Sequence, residues 1–145
     1  MGLIETPSAV AGGPNELSFY SSEGAWRDGQ ISQRRYVLRL DGFVSARAPF
    51  AGGEILTRPI KFDGDKLFVN YSTSAAGSLK VELQDASGQP LPGFTLQDCD
   101  EHYGDSVRQV VQWKNAPDLA SLSGRPIRAR FVLRDGDLYG FQFGR

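Results

Sequence analysis

The sequence predicts an all-β protein, built as a jelly-roll-like β-sandwich of two antiparallel sheets. Three observations lead to this fold class: apolar residues alternate with polar ones, turn residues recur about every ten positions, and only one short segment resembles a helix. Many short strands separated by turns are typical of sandwiches and barrels. No repeat of fixed period is present, so the segment itself should not form a propeller or a solenoid.

The clearest strand segments are "SLKVELQ" and "PIRARFVLR". In the first, Leu79, Val81 and Leu83 share one face, while charged and amide side chains occupy the other. In the second, residues 127, 129, 131 and 133 are apolar and should face inward, and arginines should line a solvated outer face. Further strands are predicted in "LSFYS", "RRYVLRL", "GEILTRPI", "KLFVNYST", "VRQVVQW" and "DLYGFQFG".

Turn signals separate these strands. Glycine supplies positive φ angles and aspartate supplies side-chain turn bonds, as such corners require. The last signal, "RDGD", predicts a short hairpin that joins the two final strands. The one helical candidate, "APDLASLSG", should be two turns long at most. The other turn signals are "DGF", "AGG", "DGDK", "AAG", "SGQP" and "SGRP".

The totals restrict the class of protein. A chain of 145 residues matches one domain, and we expect residues 1–16 to be a tail or linker and residues 17–145 to form the sandwich. Sixteen basic and seventeen acidic residues argue against a nucleic-acid partner, which would need an excess of Lys and Arg. No apolar run is long enough to span a bilayer, and no basic run is long enough to hold a membrane surface.

The beginning of the chain and its cysteine content bear on its compartment. A single cysteine excludes an internal disulfide and a C-x-x-C zinc site. The opening "MGLIETPSAVAGGPN" lacks the basic and apolar regions of a signal peptide. We expect the chain to be a domain of a longer protein, and its compartment, whether secreted or periplasmic, stays open.

From Arg34 to the end, a series of motifs covers about three quarters of the chain: "RLDGFVS", "LTRPIKF", "LFVN", "GSLKVEL", "GQPLPGF", "DC", "GDS", "VQWK" and "LYGF". Together they resemble the C-terminal β-sandwich appended to bacterial five-bladed β-propeller proteins related to glycoside hydrolase families 32 and 43. The resemblance implies a non-catalytic domain, because the catalytic carboxylates of such proteins lie in the propeller. It also implies either a structural partner of that propeller or a carbohydrate-binding domain. The chain departs from the pattern in "SEGAWRDGQISQ", a longer loop that is either a binding loop or a linker.

The segment "LQDCDEHYGDS" holds the single cysteine and the single histidine. A Cys–His catalytic pair needs the two side chains in hydrogen-bond contact and a third group that orients the histidine. Cys99 and His102 are three residues apart in an irregular segment, so the spacing does not encode that contact, and we expect Cys99 to pack beneath the loop. A zinc site would need a further ligand from elsewhere.

Calcium is the one cofactor that the sequence suggests. It takes six to eight oxygen ligands, and four acidic residues lie within the eight positions 98–105. Their spacing is not that of an EF-hand, and the last of them alternatively holds the "GDS" turn through backbone hydrogen bonds. The candidate ligands are Asp98, Asp100, Glu101 and Asp105.

Sugar binding requires an aromatic face for the C–H face of the sugar and polar groups for its hydroxyls. Trp26 is the first candidate because it lies in a polar loop, and Tyr103 is the second. Trp113 lies in a strand, where core packing is the favoured alternative. Arg27, Asp28, Asp100, His102 and Arg108 could supply the hydrogen bonds to the sugar.

These observations favour a non-catalytic carbohydrate-binding module, accessory to a carbohydrate-active enzyme, with a polysaccharide or glycan as its partner. The first alternative is a structural sandwich that packs against a catalytic propeller and binds no ligand of its own. A viral or surface assembly protein with a jelly-roll fold is the second alternative. The sequence contains neither a G-x-S-x-G motif nor a glycine-rich phosphate loop ahead of a helix, so we expect no enzymatic activity.

Overall fold

The computed structural model describes residues 2–24, 31–115 and 117–145. Within these residues the chain forms two antiparallel sheets, of three and five strands, and no α-helix. The predicted all-β class with two antiparallel sheets is therefore confirmed, while the jelly-roll connectivity stays a prediction. The strands are β1 (Ile4–Thr6), β2 (Glu16–Glu23), β3 (Ser32–Arg39), β4 (Ala46–Ala48), β5 (Gly53–Leu56), β6 (Lys66–Asp85), β7 (Asp105–Val110) and β8 (Ile127–Gly144).

The chain divides into two compact units, Met1–Val44 and Ser45–Arg145. The first unit holds the three-stranded sheet in the order β1-β2-β3. The second unit holds the five-stranded sheet in the order β4-β8-β6-β7, with β5 also paired to β8. The segment that the sequence suggests as a tail, residues 1–16, contains β1, which pairs with the beginning of β2.

The first unit is stabilised by cross-strand side-chain pairs. On one face, the rings of Phe19 and Tyr36 stack with their centroids 5.0 Å apart, as expected for residues directly opposite each other in β2 and β3. On the other face, the Arg35 guanidinium donates to the hydroxyls of Ser18 (2.9 Å) and Thr6 (2.8 Å), and so joins all three strands.

The core of the second unit lies on one face of β6 and β8. The inward residues predicted from "SLKVELQ" and "PIRARFVLR" are all buried, as the alternation indicates. The outer face differs from the expected solvated surface at Glu82, which is buried. Its carboxylate accepts from the guanidinium of Arg130 (3.4 Å) and from the side-chain amide of Gln84 (2.8 Å), which offsets the cost of burying the charge.

The predicted hairpin at "RDGD" is wrong, because β8 continues through it from Ile127 to Gly144. In the same way β6 continues through "AAG". The two segments lie opposite each other: Thr73 pairs with Gly136 and Ser78 pairs with Arg134, so four residues of β6 face Asp135 alone. Asp135 has a φ of 44°. These glycines and the aspartate therefore form a bulge within two paired strands. The sequence had suggested that the same residues end the strands.

Two glycines permit this close approach. A Cβ on Gly77 would lie 2.5 Å from the carbonyl oxygen of Asp135, and a Cβ on Gly136 would lie 2.5 Å from that of Ser72. Neither distance is compatible with a side chain, so both positions require glycine for steric reasons.

The predicted helical segment forms a single 3₁₀ turn, Leu119–Leu122. The Asp118 carboxylate caps it by accepting from the backbone N–H of Ala120 at 3.0 Å. The two leucines are buried in the core and hold this segment against the sheet. In the part of the chain that the structure describes, no helix is long and apolar enough to cross a membrane.

We predict that Gly77→Ala lowers the free energy of unfolding by about 1–3 kcal/mol, because the added methyl group forces the two strands apart. Gly140→Ala is the matched control: Gly140 lies in β8, opposite Asn70 of β6, and a Cβ there meets no described atom within 4 Å. Urea denaturation of both variants measures the difference. Equal effects at the two positions would contradict the steric explanation of the bulge.

Candidate functional site

A cleft of about 500 Å³ opens in the second unit, beside the beginning of β6 and the segment that follows β7. Its volume lies in the range of about 300–1,000 Å³ that is typical of small-molecule sites. The polar residues that line it are Asp65, Lys66, Asp100, Gln112 and Asn115, and all five are exposed. The apolar residues that line it are Leu67, Val110, Val111, Trp113, Pro117 and Leu119.

Trp113 forms part of the apolar wall and is held rigidly. Its indole N–H donates to the carbonyl of Val81 (3.0 Å), and its ring meets Phe94 edge-on at 5.3 Å between centroids. The backbone of Trp113 also forms a bridge with Cys99. Trp113 is 7% exposed, so it belongs to the core and also borders the cleft.

Asp100 reaches the rim of the cleft through backbone pairing. Its N–H donates to the carbonyl of Gln112 (2.9 Å), and the N–H of Lys114 donates to the carbonyl of Asp98 (2.7 Å). These bonds lay residues 98–100 alongside residues 112–114. This pairing holds the backbone of Asp100 beside Gln112, and both residues are exposed and line the opening.

Asp65 enters the rim from the "DGDK" turn, just before β6 begins. Its N–H donates to the carbonyl of Gly144 at 3.0 Å. The turn depends on Gly64, which has a φ of 127° and where a Cβ would collide with the Gly144 carbonyl. Two carboxylates and one ammonium group thus surround the opening, so the rim carries more negative than positive charge.

Five of the eight predicted sugar-binding residues are described by the structure, and of these five Trp113 and Asp100 line the cleft. Tyr103 is 73% exposed, and its carbonyl accepts from the Tyr71 hydroxyl at 3.0 Å. Its ring is available at the surface, away from the cleft lining. The other three predicted residues, Trp26, Arg27 and Asp28, lie outside the described residues.

Arg108 and His102 have structural contacts. The Arg108 guanidinium lies 4.0 Å from the centroid of the Phe68 ring, in a cation–π contact. His102 is buried, and its backbone exchanges two hydrogen bonds with Leu79, of 2.8 and 3.0 Å. Burial lowers the pKa of His102, with an opposing effect from the Asp100 carboxylate, so the imidazole is neutral at pH 7. Its Nε2 is buried without a hydrogen-bond partner among the described residues.

The predicted calcium ligands are spread over different surroundings. The Asp98 carboxylate accepts from the Thr95 hydroxyl (2.7 Å), Asp100 lies on the cleft rim, and Asp105 is the first residue of β7, opposite Ser72. Glu101 is exposed. In the parts of the chain that the structure describes, no three His, Cys, Asp or Glu side chains form a group that could hold a metal ion. Calcium binding stays a prediction.

Cys99 packs beneath the loop, as predicted. Its sulfur accepts from the N–H of Val81 (3.2 Å), and its S–H donates to the carbonyl of Asp100 (3.2 Å). Burial raises the pKa of the thiol to about 11. Because the thiolate is the nucleophilic form, this environment keeps the sulfur unreactive at neutral pH.

Sequence reasoning missed most of the rim. Asp65 and Lys66 belong to "DGDK", which the sequence predicts to be a turn, and Asn115 belongs to "KNAPD". The one feature of the sequence that could have identified these rim residues is that they are polar turn residues next to predicted strands. Nothing local shows that these turns meet, since their proximity results from the pairing of β6 with β7, in which Phe68 lies opposite Val110.

Comparisons with protein-family models, with curated proteins and with solved structures give no match for this chain. The resemblance to propeller-appended sandwiches therefore stays a prediction that rests on its sequence motifs.

We predict that Cys99 in the folded protein reacts with iodoacetamide at pH 8 at least about 100-fold more slowly than in the unfolded chain. A rise in pKa from 9.0 to about 11 reduces the thiolate fraction by about that factor, and burial restricts access further. Mass spectrometry follows the labelling, and Cys99→Ser provides the unlabelled control. Similar rates in the folded and unfolded states would contradict this account of the thiol.

Proposed function

We propose that the second unit is a non-catalytic carbohydrate-binding module that holds a glycan in the cleft beside Trp113. One observation carries the proposal: a single cleft of about 500 Å³ combines an apolar wall with five exposed hydrogen-bonding side chains. Sites of this composition bind small molecules that have both an apolar face and several polar groups. A sugar ring has both, since its C–H groups form one face and its hydroxyls lie around the edge.

The rim matches the hydrogen-bonding needs of hydroxyl groups. The carboxylates of Asp65 and Asp100 accept hydrogen bonds, the ammonium group of Lys66 donates them, and the amides of Gln112 and Asn115 do both. A sugar hydroxyl can likewise donate and accept. Hydrogen bonds to ionised groups are stronger than those between neutral groups, so Asp65, Asp100 and Lys66 should contribute most to affinity.

The wall of the cleft is rigid before any ligand arrives. Trp113 is fixed by its bond to Val81 and by the bridge to Cys99, and Leu119 is buried. A preformed site loses little conformational entropy when it binds, which favours recognition of a ligand that offers few strong contacts.

An accessory role beside a catalytic propeller is the part of the proposal that the sequence motifs support. The resemblance implies that the catalytic carboxylates of the parent protein lie in its propeller. In that arrangement the module described here would bring the enzyme to its polysaccharide without taking part in the reaction.

The test is a polysaccharide and glycan array, probed with the wild-type chain and with Asp100→Asn. We expect retention of one glycan class and a loss of about 1–2 kcal/mol, roughly 5–30-fold in affinity, in the variant. Glu101→Gln is the matched control, because this neighbouring carboxyl is exposed and does not line the cleft. Arrays run with calcium and with a chelator test the predicted metal separately.

Two outcomes would contradict the proposal. If the folded protein retained no glycan, the structural alternative, a sandwich that packs against a propeller, would take its place. If Asp100→Asn and Glu101→Gln weakened binding equally, the glycan would bind elsewhere than in the cleft.

A further inference from the structure

A second depression, of about 210 Å³, lies next to the cleft. It is lined by Asp63, Gly64, Asp65, Ala120, Ser123 and Arg145. Asp65 lines both depressions, and the adjacent residues Leu119 and Ala120 line one each. The "DGDK" turn and the 3₁₀ helix therefore border both, and the smaller depression continues the cleft beyond Asp65.

The size of the second depression argues that it is part of a longer site. Its volume falls below the range of about 300–1,000 Å³ in which separate small-molecule sites occur. Added to the adjoining cleft, it extends the surface available to a ligand without providing a second independent pocket.

The side chains of this depression are suited to hydroxyl groups. An Arg145 nitrogen lies 3.3 Å from an Asp63 carboxylate oxygen, and the Ser123 hydroxyl lies 3.3 Å from the other carboxylate oxygen. A guanidinium group offers several donors in a planar fork, while the carboxylate accepts. The lining here includes small residues, Gly64 and Ala120, and no aromatic ring, so it should contact the polar edge of a ligand.

The ion pair in this depression contributes little to the stability of the fold. The side chains of Arg145 and Asp63 are 82% and 79% exposed. Exposed pairs contribute little to folding, because water screens the attraction and two flexible side chains must be ordered. Arg145 and Asp63 can therefore give up their ion pair and bind a ligand with little loss of folding free energy.

We infer that the smaller depression is a second sugar subsite, and that the cleft and this subsite together bind a linear oligosaccharide. One sugar unit lies against the wall formed by Trp113, and the chain passes Asp65 so that the hydroxyls of a further unit meet Asp63, Ser123 and Arg145. This inference rests on the proposed carbohydrate-binding function and specifies its ligand as an oligomer.

The test measures affinity by calorimetry against chain length, with β-1,4-linked glucose, xylose and mannose oligomers and α-1,4-linked glucose oligomers of one to six units. In the wild-type chain, affinity for one of these series should rise about tenfold or more once the oligomer reaches the second subsite. Arg145→Ala should remove most of this gain and leave the affinity for the shortest bound oligomer unchanged. Asp63→Asn should act in the same direction.

Arg125→Ala is the matched control, since this exposed arginine follows the same 3₁₀ helix and lines neither depression. It should leave the dependence on length unaltered. Affinity that does not change with length, or equal losses in Arg145→Ala and Arg125→Ala, would overturn the second subsite and leave the proposed function standing. Absence of binding by every oligomer in a folded sample would overturn both.

Discussion

The pairing of β6 with β8 is the constraint on which the second unit depends. The two strands run antiparallel from Lys66 opposite Gly144 to Asp85 opposite Ile127, with a register shift after Asn70 and the bulge at Gly77 and Gly136. Their shared inner face supplies most of the buried apolar side chains, and burial of such a surface is the main source of folding free energy. The remaining strands add to this pair: β4 and β5 extend β8, and β7 extends β6.

The candidate site follows from the same pairing. β7 aligns with the beginning of β6, and the N–H of Val111 donates to the carbonyl of Leu67 at 2.8 Å just beyond the end of β7. The polar residues of the "DGDK" turn and of the segment after Val111 therefore meet at one end of the sheet. This is a common division of roles in proteins: strands give a rigid support, and the loops at their ends carry the recognising side chains.

Periodicity in the sequence was sufficient for the core and insufficient for the strand boundaries. The inward positions of Leu79, Val81 and Phe131 are local properties of alternation, and the structure confirms them. The continuity of β6 and β8 could not be predicted, because the same glycine and aspartate residues that close a hairpin also form a bulge when a second strand lies opposite. The prediction of a hairpin at "RDGD" is wrong for this reason.

The site was predictable only in part, because its members are distant in sequence. Trp113 and Asp100 were recognised from their chemistry, and both line the cleft. Asp65 and Asn115 were not, since fifty residues separate them and only the pairing of β6 with β7 brings their turns together. The burial of His102 also depends on tertiary contacts, which neither composition nor spacing encodes.

The most direct test of the central claim is an NMR titration that follows backbone amide shifts as an oligosaccharide of the retained class is added. The account predicts that the largest shifts occur at residues 63–67 and 112–115, around the cleft and the adjoining depression. Shifts centred on Tyr103 or on the segment that contains Trp26 would contradict it, and would place carbohydrate recognition at the loop aromatics that the sequence first suggested.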